Sequence, residues 1–267
     1  MIILAFIALY LLLWGLMYVA LPLLERLLAR AANRVAKFRY FDYLPVALLL
    51  VIGVVAAMAA GDAFTDLAEL VHANSPQLQQ IDSRVHDWAA HERTTGSTLF
   101  FTTMTIIGLP GTLAVLLAIV AGLLFWRKRW RWATYLLFTC GVGALLNVEL
   151  KLYFARARPE LAEALRHAHG YSFPSGHAMG STIVFGSLAY LAFRIIKPWF
   201  WRAAAVALAL TLIVAISASR IYLGVHWISD VAAGVSAGFL WLTAATVAYE
   251  TSRRIRMIRA LRARKSQ

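Results

Sequence analysis

Seven long apolar runs, at residues 2 to 24, 44 to 61, 98 to 126, 132 to 150, 177 to 196, 203 to 219 and 227 to 249, constrain this chain more than any other feature. A helix needs about 20 residues to cross the hydrocarbon of a bilayer. Inside lipid the backbone must also satisfy its own hydrogen bonds, which leaves helices as the spanning element for runs of this length. The fold class expected is therefore all-α: a polytopic transmembrane helical bundle. Composition agrees, with 61% hydrophobic and 15% charged residues against about 45 to 50% and 25% for soluble domains. The first run has no basic segment before it, and Leu21-Pro22-Leu23-Leu24-Glu25 is a poor cleavage site, so it reads as a span and not as a signal peptide.

The formal charge of +13 invites a nucleic-acid reading, and the position of the charge decides against it. Five of the 26 Lys and Arg lie between Arg26 and Arg39 and four between Arg127 and Arg131. Arg194, Lys197 and Arg202 form a third group, and seven more fill the stretch from Arg253 to Lys265. These groups occupy alternate connections plus the C-terminus, as the positive-inside rule expects of cytoplasmic segments. The connection from Asp62 to Ser97 carries six acids, Asp62, Asp66, Glu69, Asp82, Asp87 and Glu92, against Arg84 and Arg93, and reads as non-cytoplasmic. Seven spans then put the N-terminus outside and the C-terminus in the cytoplasm. The basic charge is topological, no nucleic-acid partner is expected, and the bilayer itself is the implied partner. Compact loops with this asymmetry suit a bacterial inner membrane.

Smaller features fit one membrane domain. Leu78, Ile81, Val85 and Trp88 follow a helical step after Pro76 and predict an amphipathic helix on the outer membrane surface. His72, His86 and His91 in the same connection read as solvated or capping histidines. Gly108-Leu109-Pro110-Gly111 should kink the third run. Gly176 with Gly180, and Gly234 with Gly238, are small-xxx-small pairs that predict close helix packing. Cys140, the single cysteine, is mid-span and reads as packing, which excludes an internal disulfide. The chain divides into an N-terminal helix with a basic loop at 1 to 43, a membrane core at 44 to 250 and a basic tail at 251 to 267.

Three polar clusters interrupt this oil. Lys151 and Arg158, with Pro159 after them, are seven residues apart; on a continuing helix they share one face with about 10.5 Å of rise between them. Pro174-Ser175-Gly176-His177 precedes an apolar helix. There Ser175 is a natural N-cap, the free N–H groups form an anion site, and Gly176 lets a ligand approach the backbone. Ser219-Arg220 ends one span, and His226 opens the next with Asp230 on the same helix face four residues later. Asp230 is expected to hold the Nδ1 proton of His226 and leave Nε2 as a free lone pair, an oriented nucleophile. Charge counting puts all three clusters on the non-cytoplasmic side, so they read as one phosphate site. Asn147 and Glu149 are read as supporting or packing residues, and His167, His169 and Tyr171 as loop residues within reach of a headgroup.

The ordered set Lys-x6-Arg-Pro, Pro-Ser-Gly-His and Ser-Arg-x5-His-x3-Asp resembles the signature of the type 2 phosphatidic acid phosphatase superfamily, integral-membrane lipid phosphatases related to vanadium haloperoxidases. The match is complete at every signature position. The resemblance implies a six-helix core, with residues 2 to 24 as an N-terminal addition. It also implies that His226 attacks phosphorus to form a phosphohistidine, that Asp230 orients it, and that His177 protonates the leaving oxygen. Lys151, Arg158, Arg220, Ser175 and the Gly176 N–H would hold the phosphate oxygens. Neither a metal nor another cofactor is expected, because guanidinium and ammonium groups supply the positive charge; activity should survive excess chelator. A lipid phosphate or diphosphate is the implied substrate, with undecaprenyl diphosphate first and phosphatidylglycerol phosphate or phosphatidic acid next. A lipid phosphotransferase using the same site and a non-catalytic transporter or scaffold stay open at this point, as does the oligomeric state.

Overall fold

The computed structural model describes residues 2–35, 44–159 and 170–265. His167 and His169 lie outside the described residues. Among the described residues the elements are helices: α1 (Ile2–Val35), α2 (Leu44–His72), α3 (Pro76–His91), α4 (Thr95–Ile107), α5 (Pro110–Trp126), α6 (Trp130–Phe154), α7 (Gly176–Ile195), α8 (Trp199–Tyr222) and α9 (Ile228–Lys265). Each apolar run falls within a helix, to within one residue at its ends, or, for the third, within the pair α4 and α5. Several helices outrun their apolar stretch. α9 continues to Lys265 because Glu250–Lys265 is rich in Arg, which favours helix, and has no Gly or Pro to stop it.

Among the described residues six helices are long and apolar enough to cross a membrane, and α4 with α5, bent by 52°, makes a seventh when the pair is taken as one broken span. The bend sits where the sequence predicts it. Pro110 opens α5, where its missing N–H costs nothing. A Cβ on Gly108 would lie 2.5 Å from the Ile216 side chain, so only glycine lets the broken span lie this close to α8.

α7 is the centre of the bundle and packs against α6, α8 and α9, while α2 lies along α9 and α1 along α8. The α7–α9 seam is built on the second glycine pair. A Cβ on Gly234 would stand 2.6 Å from Ser175 O, and one on Gly238 2.9 Å from Thr182 Cβ, so both glycines buy direct backbone approach, as expected. Gly180 differs: its Cβ would meet Leu113 at an ordinary 3.6 Å. At the rim of the bundle, α1 exposes Leu4, Leu12 and Val19 by about two thirds, an apolar face suited to the hydrocarbon of a bilayer. It is held by Phe6 on Phe100, by Trp14 on Phe200, both at 5.0 Å, and by the Trp199 indole donating to Tyr18 O.

The surface helix α3 forms as predicted but is rotated. Its buried face is Leu78, Asp82, His86 and Ala89, whereas Ile81 and Trp88 point outward, 53% and 63% exposed. The apolar periodicity misleads here because two of the inward positions are polar: Asp82 pairs with Arg156 and Ser229, and His86 lies against Trp227. His86 is thus neither solvated nor a cap: it is buried and stacks on Trp227 at 5.6 Å. His91 does bond locally, its Nδ1 lying 2.7 Å from Asp87 O.

Candidate active site

The three clusters meet at one end of the bundle, where α6 and α8 end and α7 and α9 begin. α6 stops at Phe154, four residues before Arg158, because Ala155 takes a left-handed conformation (φ 46°) and caps back onto Lys151 O. Lys151 and Arg158 therefore do not share a helix face as expected. They converge through the turn instead: Lys151 Nζ and Arg158 Nη2 both donate to Tyr171 O, at 2.8 and 3.2 Å.

His226 lies in the turn between α8 and α9, almost fully buried. Its Nδ1 is 3.3 Å from Asp230 Oδ2 and its Nε2 is 3.0 Å from Arg158 Nη1. A carboxylate only accepts and a guanidinium only donates, so these two partners assign the proton to Nδ1. The expected tautomer is thus the one the geometry supports, but the Nε2 lone pair is not free: it accepts from Arg158. Burial holds the His226 imidazole well below its ordinary pKa, and the positive charges of Arg158, Arg220 and Lys151 push it the same way.

The N-terminus of α7 faces this histidine across the α7–α9 seam, where Ser175 N donates to Asp230 O at 2.9 Å. Ser175 stands at the N-cap, yet its hydroxyl makes no cap bond; Ser175 Oγ and His177 Nε2 are both buried without a hydrogen-bond partner. Unpaired buried polar atoms are costly, and two of them at one helix N-terminus suit an incoming anion. Gly176 has a packing reason as well, since a Cβ there would lie 2.9 Å from Asn147 Oδ1. Asn147 itself donates to Met179 Sδ, which fits its reading as a packing residue, while Glu149 is exposed.

Arg220, 6% exposed, reaches from α8 to Thr105 Oγ1 on α4. α4 is fixed against α8 by a capping box between Thr94 and Ser97, whose hydroxyl bonds Tyr222 Oη at 2.5 Å. The break at Gly108 lies beside the His177 ring, so the bent span closes one wall of the site.

Several residues here escape sequence reasoning. Arg156 donates to Asp230 Oδ1 and Ser229 Oγ through one nitrogen and to Asp82 Oδ2 through the other, each at 2.7 Å. Ser172 ties the turn down, with its hydroxyl donating to Ala157 O at 2.8 Å and its N–H to Arg156 O at 2.9 Å. Arg156 was one of two arginines in Ala155-Arg156-Ala157-Arg158; only contact with α3 distinguishes it.

Two cavities adjoin the cluster. A half-polar one of about 580 Å³ is lined by residues of α2 and α3 with Arg156, Arg158 and Trp227. An apolar cleft of about 490 Å³ runs between α5, α6 and α7, from Gly176, Asn147 and Gly108 at the site down to Cys140. Among the described residues no three His, Cys, Asp or Glu side chains come close enough to hold a metal ion.

The profile of the PAP2 superfamily matches residues 132–254. The chain is 33% identical over 180 residues to phosphatidylglycerophosphatase B of Bacillus subtilis (strain 168), covering 66% of this chain and 86% of that protein. Among solved structures it is similar to the transmembrane PAP2 type phosphatidylglycerolphosphate phosphatase from Bacillus subtilis, with a TM-score of 0.66 and 30% identity over 72% of this chain and 94% of that one. It also shares its fold with Aquifex aeolicus LpxE, with a TM-score of 0.51 and 22% identity over 62% of this chain and 94% of that one.

Proposed function

The chain belongs to the PAP2 superfamily, and from that membership we propose that it is a multi-pass membrane phosphatase that removes phosphate from a lipid through a phosphohistidine on His226. One observation carries the chemistry: His226 is held between an acceptor on Nδ1 and a cationic donor on Nε2. A phosphate group entering the site competes for Arg158 and frees the Nε2 lone pair to attack phosphorus. Asp230 stabilises the charge that then develops on the ring. Lys151, Arg158, Arg220 and the α7 N-terminus at Ser175 and Gly176 hold the phosphate oxygens, whose charge spreads in the transition state. The same anion favours protonated His177, which gives its proton to the lipid oxygen as the P–O bond breaks. His177, now neutral, takes a proton from the water that attacks phosphorus and returns His226 to its resting state.

The apolar cleft that starts at Gly176 and Asn147 supports a lipid as the molecule carrying the phosphate. Similarity to phosphatidylglycerophosphatase B moves phosphatidylglycerol phosphate ahead of undecaprenyl diphosphate as first candidate, with phosphatidic acid third. The site would face the outer side of a bacterial cytoplasmic membrane. The test is phosphate release by purified protein from these three lipids, beside His226→Ala. Full activity in that variant, or no acid-labile phosphoenzyme trapped in the parent, sinks the mechanism. A phosphorylated lipid product with little free phosphate would instead favour the transferase.

A further inference from the structure

We propose that Arg156 and Asp82 are positioning residues for the His226–Asp230 pair, fastening the surface helix α3 to the nucleophile and setting the charge of its supporting carboxylate; the proposal rests on the function given above. The inference starts from the carboxylate of Asp230, which is fully buried. Its Oδ2 accepts from His226 Nδ1 and from Trp227 N at 3.0 Å. Nothing in those two contacts fixes the rotation of the carboxylate about its own axis. Arg156 does, by donating to Oδ1 at 2.7 Å, where the Ser172 hydroxyl reaches only to a long 3.5 Å. A planar guanidinium with both nitrogens engaged holds a carboxylate far more rigidly than an ammonium.

Arg156 alone would create a second difficulty. Its charge would cancel that of Asp230, and the imidazole would lose the anion that stabilises it as it becomes cationic. Asp82, 2% exposed, removes the conflict by pairing with the other nitrogen of Arg156. The three groups together carry one net negative charge, delivered to His226 through Asp230. Asp82 also accepts from Ser229 N at 3.0 Å and Ser229 Oγ at 2.7 Å, so the same carboxylate caps α9 at the turn where His226 sits. Arg156 lies over the Trp227 ring at 5.9 Å, and His86 of α3 stacks on that ring at 5.6 Å. Every inward polar residue of α3 is therefore turned to this corner.

The groups facing His226 are Lys151 of α6, Arg158 of the following turn, His177 of α7, Arg220 of α8 and Asp230 of α9. Only Asp230 is anionic. The balance set by Asp82 and Arg156 is consequently the means by which α3 reaches the nucleophile, and opposite substitutions should act in opposite directions.

The experiment uses the full chain purified in detergent, measuring kcat, KM and the pH dependence of phosphate release for Asp82→Asn, Arg156→Gln, the double variant and Arg156→Lys. Asp82→Asn leaves the three groups neutral and should move the acid limb to lower pH; Arg156→Gln leaves them doubly negative and should move it to higher pH. The double variant restores the net charge, so its limb should return towards the parent while kcat stays low, because Oδ1 has lost its anchor. Loss of that anchor should lower kcat on the order of 10²-fold with little change in KM, and Arg156→Lys should recover only part of it. An acid limb that stays put in all variants, with activity following thermal stability alone, overturns the proposal. Should Arg156→Gln fail to fold, Asp82→Asn and Arg156→Lys still give the limb shift and the partial recovery, or their absence. His226→Ala separates the two readings: an active His226→Ala refutes the phosphohistidine, whereas an inactive one beside unmoved limbs refutes only the role of Arg156 and Asp82.

Discussion

At the scale of the residue, the site is a set of charges arranged so that one histidine stays neutral among three cations. As the proposed nucleophile, His226 would act only in its neutral form, which exists above its pKa. Burial and the surrounding positive charge hold that value below the ordinary 6.5, so activity should persist as pH falls through 6.5 and disappear only below it. The check is kcat/KM against pH, corrected for the substrate phosphate, which itself ionises near pH ~6; an acid limb at or above 6.5 contradicts the environment described. The alkaline limb is expected in kcat, because in the proposed mechanism the bound phosphate is what protonates His177, and loss of that proton at higher pH should complete a bell. The grouping of these residues was legible in the sequence because each cluster is local: Asp230 follows His226 by one helical turn, and Ser175, Gly176 and His177 are consecutive. Arg156 and Asp82 were not, because their meaning lies in a contact across 74 residues between two different elements. The free lone pair on His226 was misjudged for the same reason, since Arg158 reaches it only after the left-handed turn at Ala155 folds the chain back.

At the scale of the element, helix spacing sets the site. The α7–α9 seam brings Ser175 to Asp230 because Gly234 has no side chain. Gly234→Ala puts a methyl group 2.6 Å from Ser175 O, a backbone atom that yields only by moving α7. A displacement of about 1 Å there should cost on the order of 10²-fold in kcat. Gly180→Ala, whose methyl meets Leu113 at 3.6 Å, should leave activity near that of the parent; equal losses in the two variants would mean that the seam does not govern the site. Both glycines belong to the same sequence pattern, which marks a helix face but cannot say how near the neighbour comes. The apolar cleft makes a second claim at this scale. Gly141 lines it with open space beyond its Cβ, so Gly141→Phe should raise KM for a long-chain lipid phosphate and spare a short-chain soluble one. Equal effects on the two would remove the cleft from substrate binding. The helices themselves were legible from the apolar runs, and the bend from Gly108 and Pro110. The rotation of α3 was not, because periodicity counts apolar residues, and its inward face is chosen by Asp82 and His86.

At the scale of the whole molecule, helix order puts the site and the basic segments at opposite ends. The start of α1 packs beside Phe100 and Phe101 near Tyr222 at the end of α8, which is the end that carries the site. Arg127–Arg131 and Arg194–Arg202 flank the far ends of α5 to α8, and α9 carries its cations away from Asp230. Because an excess of Lys and Arg is retained in the cytoplasm, the site should open outward, where a lipid phosphate of the outer leaflet is reachable. This orientation can be read with single cysteines, since Cys140, the only native one, is buried between helices. Tyr171, 42% exposed beside Lys151 and Arg158, marks the site end, and Met257, 52% exposed on α9, marks the other. In intact spheroplasts a membrane-impermeant maleimide should label Tyr171→Cys and leave Met257→Cys untouched until the membrane is opened by detergent. Labelling of Met257→Cys from outside, with Tyr171→Cys protected, would turn the site towards the cytoplasm and assign the enzyme an inner-leaflet substrate, although the chemistry at His226 would be unaffected.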